Sequence, residues 1–84
     1  MKKVTVFMGP MCSFCEAAKR LLARNNIPFK EINIALEEGK KEEMFAKSNG
    51  RKTIPQIFFN DLHIGGYQEL RDLEKKGELL NLVK

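Results

Sequence analysis

Hydrophobic and polar residues follow two different periods along the chain, and the changes of period divide it into segments. Four stretches are rich in β-branched and aromatic residues, which is typical of strands; they cover residues 3–8, 29–34, 56–60 and 62–64. In three others apolar residues recur every three or four positions, which is typical of amphipathic helices; they cover residues 13–25, 37–48 and 67–76. The pattern predicts the order β-α-β-α-β-β-α, followed by an apolar turn over 78–83.

The apolar residues of the first two predicted helices mark the faces that we expect to contact the rest of the fold. In the first helix these residues are Phe14, Ala18, Leu21 and Leu22. In the second helix, which is charged along most of its length, they are Met44 and Phe45.

The connections between the segments predict how the strands pair. A strand–helix–strand start implies a right-handed crossover and a parallel pair of strands. Asn60-Asp61 is a turn-forming pair between two short strands, so these should form an antiparallel hairpin. We therefore expect an α/β fold in which a four-stranded mixed sheet is flanked by helices on both faces.

The length and composition narrow the class of protein. A chain of 84 residues is expected to form one domain, residues 1–84. Hydrophobic residues make up 43% and charged residues 31%, which is ordinary for a globular protein. No apolar run approaches the roughly 20 residues of a membrane span, and the N-terminal apolar run is shorter than a signal-peptide core. We therefore expect a cytoplasmic protein without a membrane contact.

The net charge of +4 does not predict a nucleic-acid interface. Lys40-Lys41 is followed directly by Glu42-Glu43, and Lys75-Lys76 stands next to Glu74. A nucleic-acid site needs a clustered basic face, and here the two signs are mixed.

The only two cysteines, Cys12 and Cys15, form a single C-x-x-C at the start of the first predicted helix. A helix N-terminus carries unpaired N–H groups and a partial positive charge, which favour a thiolate. At such a position the pKa of a cysteine falls from about 8.5 to about 3.5–7.5. We expect Cys12 to be the more exposed of the two and Cys15 the more buried.

Three interpretations of this motif compete. A structural disulfide would close a very short loop, for which the entropy model predicts little stabilisation. A zinc site within one chain needs about four ligands, and the only histidine, His63, lies far along the sequence. A reactive dithiol after a strand–helix turn is typical of thioredoxin-like proteins, and the residues favour this interpretation.

Two further stretches are candidates for binding a ligand next to the dithiol. Pro55 could precede a strand as an ordinary proline, but in a thioredoxin-like arrangement its loop faces the dithiol. We therefore expect the Ile54–Pro55 bond to be cis, which would turn the Ile54 N–H and C=O outward to pair with an extended peptide. Gly65-Gly66 could be a hairpin exit, or could let a ligand approach the N–H groups of Tyr67 and Gln68.

Together these stretches resemble the glutaredoxins over nearly the whole chain, through 12–15 (CSFC), 53–56 (TIPQ) and 64–66 (IGG). The resemblance implies a thioredoxin-like fold and a glutathione-dependent oxidoreductase, with Cys12 as nucleophile and Cys15 as resolving thiol. It implies reduction of disulfide-bonded or glutathionylated proteins by a monomer. The residues that the resemblance assigns to glutathione are Phe14, Arg51, Lys52, Thr53, Ile54, Pro55, Gln56, Gly66, Tyr67 and Gln68.

The chain also departs from the family pattern. Ser13 and Phe14 stand where many members have proline and tyrosine, and no lysine precedes Cys12 closely. Glu69 is the one carboxylate offered to the glutathione ammonium.

Some glutaredoxins with serine after the first cysteine hold a [2Fe–2S] cluster between two subunits. An alternative function is therefore a glutathione-ligated cluster carrier or sensor, a homodimer in which Cys12 is a ligand.

Overall fold

In the computed structural model, which describes residues 1–84, four strands form one mixed sheet. The strands are β1 (Val4–Met8), β2 (Lys30–Asn33), β3 (Gln56–Phe59) and β4 (Leu62–Gly65). Their order in the sheet is β2-β1-β3-β4. β1 is parallel to β2 and antiparallel to β3, and β3 and β4 form an antiparallel hairpin. The predicted parallel start and the predicted hairpin are confirmed.

Four helices complete the fold, one more than the predicted order contained. They are α1 (Ser13–Arg24), α2 (Lys40–Lys47), α3 (Tyr67–Lys75) and α4 (Leu79–Val83). The last apolar turn forms the short helix α4. α2 begins three residues later than predicted, because Gly39 has a φ of +81°, outside the helical region.

The alternation of side chains along the strands gives the sheet two buried faces. One face packs on α1, α3 and α4 through Val4, Val6, Ala18, Leu21, Leu22, Ile27, Ile57, Phe59, Leu70, Leu79 and Val83. The other face packs on α2 through Phe7, Ile32, Met44 and Phe58. The predicted α/β architecture, with helices on both faces of the sheet, is confirmed.

Two aromatic residues that the sequence pattern assigned to helix contacts are exposed instead. Phe14 is 62% exposed, because the buried face of α1 is turned so that Cys15, at 0% exposure, points inward. Phe45 is 43% exposed, because Met44 alone anchors α2 to the sheet. The rotation of α1 leaves Phe14 at the surface beside Cys12.

A polar contact joins α1 to α3, the two helices whose N-termini approach the dithiol region. The Arg24 Nη2 lies 2.7 Å from a Glu74 carboxylate oxygen, and Asn25 Nδ2 donates to the other oxygen at 2.7 Å. The Arg24 hydrogen bond, followed by that of Asn25, lowers the pKa of Glu74 below its ordinary value.

None of the helices is both long enough and apolar enough to cross a bilayer.

Candidate functional site

The two cysteines are joined by a disulfide at the N-terminus of α1. Cys12 is the N-cap residue, in an extended conformation, and its sulfur accepts a hydrogen bond from the Cys15 N–H at 3.1 Å. Cys12 is partly exposed, whereas Cys15 is completely buried. The predicted difference in exposure is confirmed, and only the Cys12 sulfur can be approached from outside.

The start of α1 supplies the favourable surroundings for a Cys12 thiolate in the reduced protein. The Cys15 N–H already points at the Cys12 sulfur, and a hydrogen bond to the charged form favours that form. Lys19 is the nearest lysine along α1, but its Nζ lies 2.8 Å from Glu16 and 3.0 Å from Glu31. The hydrogen bond to Glu16, then that to Glu31, raises the pKa of Lys19. The carboxylates of Glu16 and Glu31 thus balance the positive charge of Lys19.

We therefore expect Lys19→Gln to leave the alkylation rate of reduced Cys12 at neutral pH within about twofold of the original. The measurement is reaction of the reduced protein with iodoacetamide, in which the buried Cys15 is protected. Arg20→Gln is the matched control, since Arg20 is an exposed cation on the same helix. A loss of about tenfold for Lys19→Gln but not for Arg20→Gln would show that Lys19 stabilises the thiolate.

The loop before β3 faces the dithiol, as predicted. Its Ile54–Pro55 peptide bond is cis, which confirms the prediction from the sequence. The Ile54 carbonyl oxygen lies 3.7 Å from the Cys12 sulfur. Ile54 belongs to no strand, and its N–H donates to no group of the chain. An unpaired backbone donor therefore stands beside the accessible sulfur.

A groove of about 300 Å³ runs from this loop to the first turn of α3. Its lining residues are Phe14, Arg51, Thr53, Ile54, Pro55, Gly66, Tyr67, Gln68 and Glu69. Eight of these nine belong to the ten residues that the resemblance assigned to glutathione. The rings of Phe14 and Tyr67 are stacked with centroids 5.8 Å apart, and they link α1 to α3 at one wall.

Lys52 and Gln56 are not among the residues that line this groove. The Lys52 Nζ lies 5.8 Å from the centre of the Phe45 ring, on the side of α2. Gln56 is 0% exposed, and its carboxamide is engaged by Thr53 and His63. Of Arg51, Lys52 and Gln56, all assigned to glutathione by the resemblance, Arg51 alone lines the groove.

The α3 end of the groove combines donors with one carboxylate. The first N–H groups of a helix have no acceptor within it, and Tyr67 and Gln68 are the first two residues of α3. The Glu69 carboxylate accepts from the Gly66 N–H at 2.5 Å and lies 3.4 Å from Arg51. This end can thus receive an anion at the N–H groups and a cation at Glu69.

His63 belongs to none of the sequence motifs, yet its side chain contacts a residue next to the site. β3 and β4 pair Phe58 with His63, which brings the imidazole to Gln56, two residues before Phe58 on the same face. Burial lowers the pKa of His63, and the charge of Arg51 acts in the same direction. The period-2 alternation of the predicted hairpin was the signal that could have linked His63 to Gln56.

The arrangement as a whole suits exchange between thiols and disulfides. One accessible sulfur lies at a helix N-terminus, a second sulfur lies within bonding distance below it, and a groove with free backbone donors begins beside them. Exchange requires the attack of a thiolate on a disulfide sulfur, and the geometry leaves Cys12 as the attacking atom.

Comparison with known proteins identifies relatives over the full chain. The family profile described as Glutaredoxin matches residues 4–64. Glutaredoxin 3 of Escherichia coli (strain K12) is 39% identical over 84 residues, which cover 100% of both chains. The solution structure of glutaredoxin from Brucella melitensis is 39% identical, with a TM-score of 0.86, and the match covers 100% of this chain and 90% of that one. A buckwheat glutaredoxin–glutathione complex shares the fold at a TM-score of 0.86 and 22% identity, over 98% of this chain and 76% of that one.

Proposed function

Because the chain belongs to the glutaredoxin family, we propose that its thiol–disulfide oxidoreductase activity depends on glutathione. The fold is thioredoxin-like, as expected from the sequence. The proposed substrates are protein disulfides and mixed disulfides between proteins and glutathione. The observation that carries the proposal is the groove beside Cys12, which offers the unpaired Ile54 N–H next to the accessible sulfur.

The first step of the proposed reaction takes place at Cys12. Its thiolate attacks the glutathione sulfur of a mixed disulfide, and the protein thiolate leaves. A disulfide between Cys12 and glutathione results. The cysteine residue of glutathione would extend along the loop and pair with the Ile54 backbone, as an added strand does.

Two second steps are available, and they use different thiols. A second glutathione thiolate can attack the bound glutathione sulfur, which releases oxidised glutathione and the Cys12 thiolate. When the substrate is a protein disulfide, the Cys12 thiolate attacks one of its two sulfurs, which leaves the protein joined to Cys12 by a disulfide and frees the other protein thiolate. Cys15 can then attack the Cys12 sulfur. That step releases the reduced protein and forms the Cys12–Cys15 disulfide, the state described above.

The α3 end of the groove fits the γ-glutamyl group of glutathione. Its carboxylate would accept from the N–H groups of Tyr67 and Gln68, and its ammonium would meet Glu69. Arg51, the one cation in the groove lining, would then hold a carboxylate of the ligand. Glu69 would exchange its contact with Arg51 for a contact with the ligand.

The test is turnover of a glutathione mixed disulfide with glutathione as reductant, followed through NADPH and glutathione reductase. As a comparison, cysteinylglycine, which carries the thiol but lacks the γ-glutamyl group, replaces glutathione both in the mixed disulfide and as reductant, and its consumption is followed by thiol titration. We expect turnover to fall at least about tenfold with cysteinylglycine, because the contacts at α3 are lost. Equal rates with the two thiols would contradict dependence on glutathione.

We further propose that the active form is a monomer, one domain over residues 1–84, that works in the reducing cytoplasm. The cluster-bound homodimer remains the alternative. The chain contains no group of three or more His, Cys, Asp or Glu side chains that could hold a metal ion, so a cluster would need Cys12 from each of two copies and thiolates from glutathione. Anaerobic reconstitution with iron, sulfide and glutathione distinguishes the two: visible absorption together with a doubled mass would support the alternative.

A further inference from the structure

A chain of hydrogen bonds crosses the protein from the β3–β4 hairpin to the loop beside Cys12. The His63 Nε2 lies 2.6 Å from the Gln56 Oε1. The Gln56 Nε2 donates to the Thr53 carbonyl oxygen at 3.0 Å and to the Thr53 hydroxyl at 3.2 Å. Gln56, the middle member, is completely buried. Buried polar groups that are fully paired fix their surroundings in one arrangement.

The chemistry of the groups fixes the direction of each bond. A carbonyl oxygen only accepts, so the Gln56 atom that faces the Thr53 carbonyl must be the amide nitrogen. The Gln56 oxygen therefore faces His63 and needs a donor, which is the Nε2–H of the imidazole. Both the neutral Nε2–H tautomer and the protonated ring carry that hydrogen, so the bond exists in either charge state.

The position of the His63 ring is itself held by the sheet. The imidazole stacks on the Phe58 ring with centroids 4.9 Å apart, and the two residues are partners in the β3–β4 register. The ring therefore has little freedom to leave Gln56.

The Thr53 carbonyl controls the direction of the Ile54 N–H, because both groups belong to the same planar trans peptide unit. In such a unit the C=O and the N–H point in opposite directions. The Gln56 bond draws the Thr53 carbonyl toward the interior, so the Ile54 N–H is turned away from Gln56. This is the N–H that has no acceptor in the chain.

We propose that His63 is a positioning residue for the ligand: through Gln56 and the Thr53 carbonyl, it aims the Ile54 N–H at the peptide bound beside Cys12. The inference rests on the proposed glutathione function. It assigns to His63, which does not line the groove, a part in ground-state binding and none in the chemical step.

The experiment compares His63→Phe with His63→Gln. His63→Phe keeps an aromatic ring on Phe58 but removes the donor to Gln56, whereas His63→Gln keeps a donor near the former Nε2. With saturating glutathione we expect His63→Phe to raise the KM for a glutathione mixed disulfide roughly 5- to 10-fold. We expect kcat to stay within about twofold, and His63→Gln to restore most of the KM.

Nuclear magnetic resonance gives a second readout that does not depend on turnover. The Ile54 amide and the Gln56 side-chain amide should shift in His63→Phe and remain near their original positions in His63→Gln. If His63→Phe does not fold, His63→Leu removes the same donor with a smaller side chain and is measured instead.

The outcomes separate the two proposals. If the original protein is active and His63→Phe has the same KM as the original protein, the positioning role is overturned and the proposed function remains intact. A rise in KM that His63→Gln does not restore would also overturn it, since the donor would then not be the cause. An original protein that is inactive with glutathione would overturn the proposed function, while an unmoved Ile54 resonance in His63→Phe would still count against the hydrogen-bond chain.

Discussion

Cys12→Ser is expected to lower turnover of every disulfide substrate by more than about a thousandfold. The serine hydroxyl does not ionise near neutral pH, so the N-terminus of α1 can no longer supply a thiolate at this position. Cys15 cannot replace the lost nucleophile, because its sulfur is completely buried behind residue 12. The measurement is turnover of both a protein disulfide and a glutathione mixed disulfide.

Cys15→Ser is the paired variant, and we expect it to separate the two reactions. Reduction of glutathione mixed disulfides should persist, since a second glutathione can release Cys12. Reduction of protein disulfides through the dithiol route should be lost, because the Cys12–substrate disulfide then has no internal thiol to break it. An equal loss of both activities in both variants would refute the assignment of nucleophile to Cys12 and resolving thiol to Cys15.

Gly65→Ala is expected to lower the free energy of unfolding by about 2–4 kcal/mol. Gly65 has a φ of +121°, a conformation that residues with a Cβ rarely adopt. An added Cβ would also lie only 2.9 Å from the Glu69 Cγ and still closer to its carboxylate. Glu69 would have to leave the Gly66 N–H, which it caps at the start of α3. Denaturant unfolding measures the stability of Gly65→Ala. The KM of this variant for glutathione substrates should rise as well.

Gly39→Ala is the matched control for that variant. Gly39 also has a positive φ, +81°, but an added Cβ would meet no atom within 4 Å. We expect Gly39→Ala to lower the free energy of unfolding through backbone strain alone, by about 1 kcal/mol. If Gly65→Ala lowers the free energy of unfolding no more than Gly39→Ala does, Glu69 moves aside freely. The α3 cap then does not depend on Gly65.

The order of elements was predictable because the sequence carries it in local signals. The change from a period of two to a period of 3.6 marks each strand and helix, and Asn60-Asp61 marks the hairpin. The position of the dithiol followed directly, since Cys12 and Cys15 begin the first helical stretch. The cis bond before Pro55 required more than the proline itself, namely the upstream dithiol and the thioredoxin-like arrangement that it indicates.

Which side chains line the groove could not be read from local pattern alone. Phe14 shares the spacing of Ala18 and Leu21, yet it is exposed, because packing selects which side of α1 faces the sheet. Gln56 is polar and close to the site in sequence, yet it points inward, because Thr53 and His63 satisfy its carboxamide there. Such choices depend on partners that the fold brings from elsewhere in the chain.

The separation of α2 from the groove has a practical consequence for attaching the protein to a surface. α2 is the helix that covers the second face of the sheet, and none of its residues lines the groove. Ala46 is exposed near the C-terminal end of this helix. A chemical tether introduced at Ala46 would therefore attach the protein through a helix that contributes no residue to the groove, so that the lining of the groove in immobilised copies would remain unmodified.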